Sequence, residues 1–124
     1  MRLNPDCIRD ILLYVEENIN EQNNSINVGN LISNMNSKYD AYIINYHIIQ
    51  LNQAQLFTHV VIDDGNIPLR IVDLSWEGHH YLNNIRDNKV WSKIKTSTKG
   101  LASISMPLLV KYAETVAMSF LPKP

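Results

Sequence analysis

Tyr42, Tyr46, Ile49 and Gln53 recur three or four residues apart, with Asn45 beside them, so a helix through this stretch carries them on one face. Asn and Gln amides can pair with adenine edges, and tyrosines can donate to phosphate or stack on bases. Lys38 lies just before this face, and Arg70 is the cation nearest to it in the following hairpin. The pattern fits a DNA recognition face. It also fits a solvated helix face with ordinary tyrosines, and Ile49 suggests contact with a protein.

Other residue types carry weaker chemistry. Arg86, Lys89, Lys93, Lys95 and Lys99 gather against only Asp87, a run that could touch phosphate or an acidic partner, although cations are also favoured at a helix carboxyl terminus. We take Arg86, Lys89 and Lys93 as a possible secondary basic patch. His79-His80 would point about 100° apart on a helix, and neither an HExxH motif nor a cysteine pair accompanies them, so no metal or cofactor is expected. His79 is expected to support the hairpin junction. Cys7 lies in a first helical turn, where a thiol pKa can fall, but no nucleophile motif surrounds it. With no glycine-rich phosphate loop and no nucleophile elbow, the chain is not expected to be an enzyme. Asp63 and Asp64 are better explained by turn chemistry.

These residues need elements to position them. Asn4-Pro5-Asp6 is a helix start, and Ile8, Ile11, Leu12, Val15 and Ile19 give the buried stripe of a helix ending near Asn18. An Asn/Gln-rich loop follows, then a short helix carrying Val28, Leu31, Ile32 and Met35. Ser37 and Asp40 have capping-box spacing, which predicts a helix over 37–54 with Ile44, Ile48 and Leu51 inward, extended by Ala41, His47 and Ala54. Residues 56–62 and 69–72 flank the turn Asp63-Asp64-Gly65-Asn66, predicting a hairpin with Pro68 at the free edge or strand start. Ser75 caps a helix whose buried side is expected to include Trp76, Leu82, Ile85, Val90, Trp91 and Ile94, with Gly78 weakening its first turns. Residues 96–100 read as a linker. The last helix starts at Ser105-Met106-Pro107, has Leu108, Leu109, Tyr112, Val116 and Phe120 as its apolar positions, more apolar surface than a lone terminal helix always buries, and is stopped by Pro122 and Pro124.

The expected fold is α+β and mainly helical: a winged helix with a three-helix core, a β-hairpin wing and two further C-terminal helices. Residues 1–95 form the winged-helix domain with its following helix, and 96–124 a linker and C-terminal helix packed on the same domain or at a dimer contact. The chain has 124 residues, 45% of them hydrophobic, enough for one core, and a formal net charge of -1, so no global field draws it to nucleic acid or lipid. One cysteine excludes an internal disulfide and, with no long apolar run or leader pattern, fits a cytoplasmic protein away from the membrane.

Ile8-Arg9-Asp10-Ile11-Leu12, Tyr46-His47, Leu51, Leu74-Ser75-Trp76-Glu77-Gly78-His79, Tyr81-Leu82, Ile85-Arg86-Asp87 and Trp91 together resemble a family of small phage and prophage proteins catalogued as a domain of unknown function and similar to winged-helix proteins. The Trp-Glu-Gly-His block is the most specific part. Gln55 stands where that family tends to have Gly, and Ser75 where Thr is usual. The resemblance implies a phage or mobile-element setting and assigns no catalytic residue. The resulting expectation is a homodimeric, DNA-binding transcriptional regulator, with a non-enzymatic module that binds or inhibits a host or phage protein as the alternative.

Overall fold

The computed structural model describes residues 2–99 and 104–121. Within them the chain forms α1 (Pro5–Asn18), β1 (Ile26–Asn27), α2 (Val28–Met35), α3 (Ala41–Gln53), β2 (Val60–Ile62), β3 (Pro68–Ile71), α4 (Trp76–Ile85), α5 (Asn88–Thr98) and α6 (Met106–Ser119). The architecture is mixed α+β and mainly helical, with one antiparallel sheet in the order β1-β3-β2.

α1 begins as its sequence dictates. Asn4 Oδ1 accepts from the backbone N–H groups of Asp6 and Cys7 at 3.0 and 3.3 Å, and Pro5 occupies a position that needs no N–H. Such a cap is worth about 1 kcal/mol. Cys7, Ile8, Ile11, Leu12 and Val15 are buried, and α1 packs against α3 and α4. β1 has no counterpart in the sequence reading, since two residues carry no periodicity. Ile26 pairs with Ile71 and Asn27 with Arg70, and the Asn27 side chain then caps α2 by accepting from the N–H of Asn30.

α3 starts at Ala41, four residues later than expected. Asp40 is its N-cap, accepting from the Ile43 N–H at 2.9 Å, while the N–H groups of Lys38 and Tyr39 return to the Met35 carbonyl and extend the turn after α2. At its other end Gln55 has φ 64°. The Gln55 N–H bonds the Asn52 carbonyl and the Leu56 N–H bonds the Leu51 carbonyl, the double bond of a Schellman ending. A left-handed residue is required here, which explains why glycine suits this position and why Gln55 adopts it at some cost.

β2 and β3 pair through Val60↔Ile71, Val61↔Arg70 and Ile62↔Pro68, with a register shift between Val61 and Ile62. Pro68 opens the central strand β3, the one place in that strand where a missing donor is tolerated. The turn is closed by Asp63, whose Oδ1 accepts from the N–H groups of Gly65 and Ile67 at 2.9 Å each. Asn66 supplies the left-handed residue, φ 61°.

The single helix expected after Ser75 is two. α4 ends at Ile85, and Asp87 caps α5 by accepting from the N–H groups of Lys89 and Val90. Gly78 does more than weaken a turn: a Cβ there would lie 2.0 Å from the Leu56 carbonyl oxygen, so the close approach of α4 to the hairpin entry requires glycine. Trp76, expected in the core, is 75% exposed. The buried stripe of α4 is Gly78, Tyr81, Leu82 and Ile85, and the Trp76 ring instead stacks on His80 at 5.3 Å and 6°. Trp91 is buried as expected, its Nε1–H donating to Asp6 Oδ1 at 3.0 Å.

The proposed linker is shorter than 96–100, because α5 continues to Thr98; Gly100 lies outside the described residues, as do Pro122 and Pro124. α6 packs on α4 and α5 through Met106, Leu109, Ala113 and Val116. Leu109 and Val116 are therefore buried within the chain's own core, while Leu108 and Phe120 face solvent. Among the described residues no helix is long and apolar enough to cross a membrane.

Candidate nucleic-acid or partner interface

α3 is amphipathic in the sense expected. Ile44, His47, Ile48 and Leu51 are buried, whereas Tyr42 is 72% exposed and Gln53 is exposed. The inward His47 fixes the helix to the start of α1. Its Nε2 accepts from the Asn4 N–H and its Nδ1–H donates to the Ile43 carbonyl, both at 2.8 Å. Desolvation lowers its pKa, so the ring is held neutral.

The outer face departs from expectation at three positions. Asn45 is half-buried, and its Oδ1 is buried with no hydrogen-bond partner among the described residues. Bidentate pairing with a base edge needs both ends of the amide, so Asn45 does not belong to the reading face in this conformation. Ile49 is also half-buried rather than fully displayed. Tyr46 is half-buried and meets the His47 ring edge-on, at 5.2 Å and 87°.

Tyr46, Gln50 and Gln53 line one wall of a groove of about 620 Å³. Arg2 and Leu3 and the start of α6, from Ile104 to Pro107, line the rest. A second groove, of about 710 Å³, runs along α5, with Arg2, Asp6, Asn88, Trp91, Lys95 and Lys99 on its walls. The two grooves share Arg2, Leu3 and Ile104, so the outer side of α3 and part of the basic run line adjoining grooves. Sequence reasoning missed Arg2 and Gln50. The signal available for Gln50 was its place three residues before Gln53; nothing local marks Arg2.

Three of the other candidate cations are engaged. Lys38 Nζ is 3.7 Å from Asp10 Oδ2, and Arg70 donates twice to Ser25 Oγ, at 3.0 and 2.6 Å, tying β3 to the loop before β1. Arg86 forms a fork with Glu16, at 2.7 and 2.5 Å, which holds the Glu16 carboxyl below the usual carboxylate range. Lys89 and Lys93 stay exposed, with Lys93 Nζ 5.7 Å from the centre of the Phe120 ring. Arg9, which the sequence did not single out, donates to the Ile85 and Arg86 carbonyls and to Asn88 Oδ1, satisfying the carbonyl end of α4.

The remaining motifs resolve into structure. His79 and His80 diverge, their Nε2 atoms 4.0 Å from Asp73 and Glu114 respectively. Asp73 follows β3, so His79 does sit at the hairpin junction. Cys7 is fully buried, and burial together with Asp10 pushes its thiol up to about 12, the opposite of an activated nucleophile.

The comparisons agree on relationship without adding an activity. Residues 2–105 match the model of the family described as "Hypothetical protein (DUF2513)". An "Uncharacterized protein" of Haemophilus influenzae (strain ATCC 51907 / DSM 11121 / KW20 / Rd) is similar at 28% identity over 123 residues, 98% of this chain and 99% of the relative. No solved structure matches the chain. With a match that takes in the helical core, the hairpin and both grooves' principal walls, the chain belongs to the DUF2513 family of hypothetical proteins.

Proposed function

We propose that this protein is a winged-helix DNA-binding transcriptional regulator in which the outer face of α3 meets the duplex. The observation that carries the reading is the element order α1-β1-α2-α3-β2-β3 with strands arranged β1-β3-β2, which sets α3 and a hairpin wing side by side. In winged-helix proteins that bind DNA, the helix before the wing enters the major groove, so the argument is one of architecture. Tyr42, Gln53 and Gln50 are the residues of α3 assigned to the duplex. The resemblance of Leu74 to His79 motivates a phage or mobile-element setting. Leu108, Phe120 and Leu121 offer exposed apolar surface for a homodimer in which two half-sites add their affinities. Light scattering that finds only monomer at roughly tens of micromolar removes the dimer, because association follows mass action.

DNA flanking the gene is the substrate for the test. Binding at low and moderate salt, weakened by Tyr42→Ala and Gln53→Ala, supports the reading, and absence of binding even at low salt overturns it. A second reading, an interaction module that holds a host or phage protein, is favoured by Val61, Ile67 and Leu69, which are exposed on the wing next to Asp63 and Asp64. An apolar wing with acids at its tip suits a protein better than a phosphate backbone. Retention of a partner on the wild-type protein and its loss on Leu69→Asp would support that alternative.

A further inference from the structure

We infer that the groove along α5 seats the phosphodiester backbone of the nucleic acid whose bases face α3, with Arg2 and Lys99 as its phosphate contacts. This inference rests on the DNA reading above and says where its electrostatics come from. That reading is short of cations at the places a winged helix usually offers them, because Lys38 is paired with Asp10, Arg70 keeps its charge but is tied by two N–H groups to Ser25, and the wing tip carries Asp63 and Asp64. Nonspecific affinity for DNA comes mostly from neutralised phosphates, so a binding surface without free cations would be weak at any salt.

The α5 groove supplies what α3 lacks. Three cations line it, Arg2, Lys95 and Lys99, against one carboxylate, Asp6. Both oxygens of Asp6 are already used: Oδ1 accepts from Trp91 Nε1–H at 3.0 Å, and Oδ2 is 3.1 Å from Lys95 Nζ. Lys95 and Asp6 thus cancel. Arg2 and Lys99 are exposed and make no ion pair among the described residues, so the groove keeps a surplus of two positive charges.

The neutral donors are oriented as well. Arg9 donates to Asn88 Oδ1 at 3.1 Å, which fixes the amide and leaves its amino end as the unused side, in the groove wall. Thr96 and Thr98 donate their hydroxyls to the Ser92 and Ile94 carbonyls, so they offer only lone pairs and are not phosphate donors. Charge, then, enters through Arg2 and Lys99 and geometry through Asn88. This groove adjoins the α3 groove at Arg2, Leu3 and Ile104, which places the phosphate contacts beside the base-facing helix.

The test uses the full chain and fluorescence anisotropy of labelled flanking duplex across a salt series. Arg2→Gln and Lys99→Gln should each lower the slope of log affinity against log salt by about 0.9, and the double variant by about twice that. Lys111→Gln, on α6 and away from both grooves, should leave the slope unchanged. Slopes unchanged in Arg2→Gln and Lys99→Gln while binding persists would overturn the groove and leave the DNA reading standing; no binding by the wild type at low salt would remove both. Trp91 reports from the groove wall in a Trp76→Phe background. Its emission should respond to duplex and not to inorganic phosphate or AMP at the same phosphate concentration, and an equal response to either free compound would overturn the assignment to a nucleic-acid backbone.

Discussion

Two adjoining parts of this molecule use basic residues in opposite ways. At the α4–α5 corner, Arg9 closes the carbonyl end of one helix and Arg86 forks onto Glu16 of α1, so guanidinium groups act as struts between elements. Along the grooves beside α3 and α5, Arg2 and Lys99 touch no carboxylate among the described residues and contribute little to the fold. The segment 86–99 looks uniform in sequence, yet it contains both kinds. What separates them is the neighbouring element: a carboxylate or helix terminus within reach converts a cation into structure, and a groove leaves it available.

Substitutions can break or sharpen that contrast. The largest effect belongs to the clamped side, where Gly78→Ala drives a Cβ into the Leu56 carbonyl; we expect a loss of about 3 kcal/mol or more in chemical denaturation. Arg9→Ala, which strips three hydrogen bonds from the end of α4, should cost about 2 kcal/mol. Arg86→Gln should cost about 0.5–1 kcal/mol, because the fork with Glu16 is partly exposed and solvent screens it. Arg2→Gln and Lys99→Gln should change stability by less than about 0.5 kcal/mol while altering affinity for DNA. A large loss of stability in either would mean that the groove cations are struts after all.

The acidity of His47 gives a pH-dependent version of the same contrast. Its folded pKa lies below the unfolded value of about 6.5 because burial disfavours the imidazolium, so the unfolded chain takes up the proton more readily. Its contribution is therefore present above about pH 6.5 and is lost as the pH falls through the folded value. Glu16, also depressed, keeps its contribution above the ordinary carboxylate range and loses it as the pH falls through that range towards the lower folded value. Denaturation followed by circular dichroism should show the first decline beginning near pH 6.5 in the wild type and absent in His47→Gln. An unchanged decline in that variant would mean that another group governs it.

Much of the scaffold was legible in the sequence because its signals are local. Asn4-Pro5-Asp6 specifies the α1 start through side-chain geometry within three residues, and Asp63-Asp64-Gly65-Asn66 specifies its turn in the same way. Helical periodicity found the inner face of α3, including His47. It failed where a tertiary contact decides: Asn45 sits one residue from Tyr46 yet turns its carbonyl inward, and Trp76, apolar by type, is left outside because Gly78 and Leu82 define the packed side of α4. β1 was invisible because only its pairing to β3 makes it a strand. The grooves were invisible for a related reason, since Arg2 joins Gln50 in one groove and Lys99 in the other only through the packing of the amino-terminal arm, α3 and α5.

The most direct measurement is the affinity of the wild type and of Tyr42→Ala for flanking duplex DNA between about 50 and 200 mM salt. The account predicts binding that weakens steeply over this range and drops about tenfold in the variant at fixed salt, equivalent to about 1.4 kcal/mol. Binding of wild type and variant with the same affinity at every salt concentration would contradict it, because the outer face of α3 would then have no part in the contact.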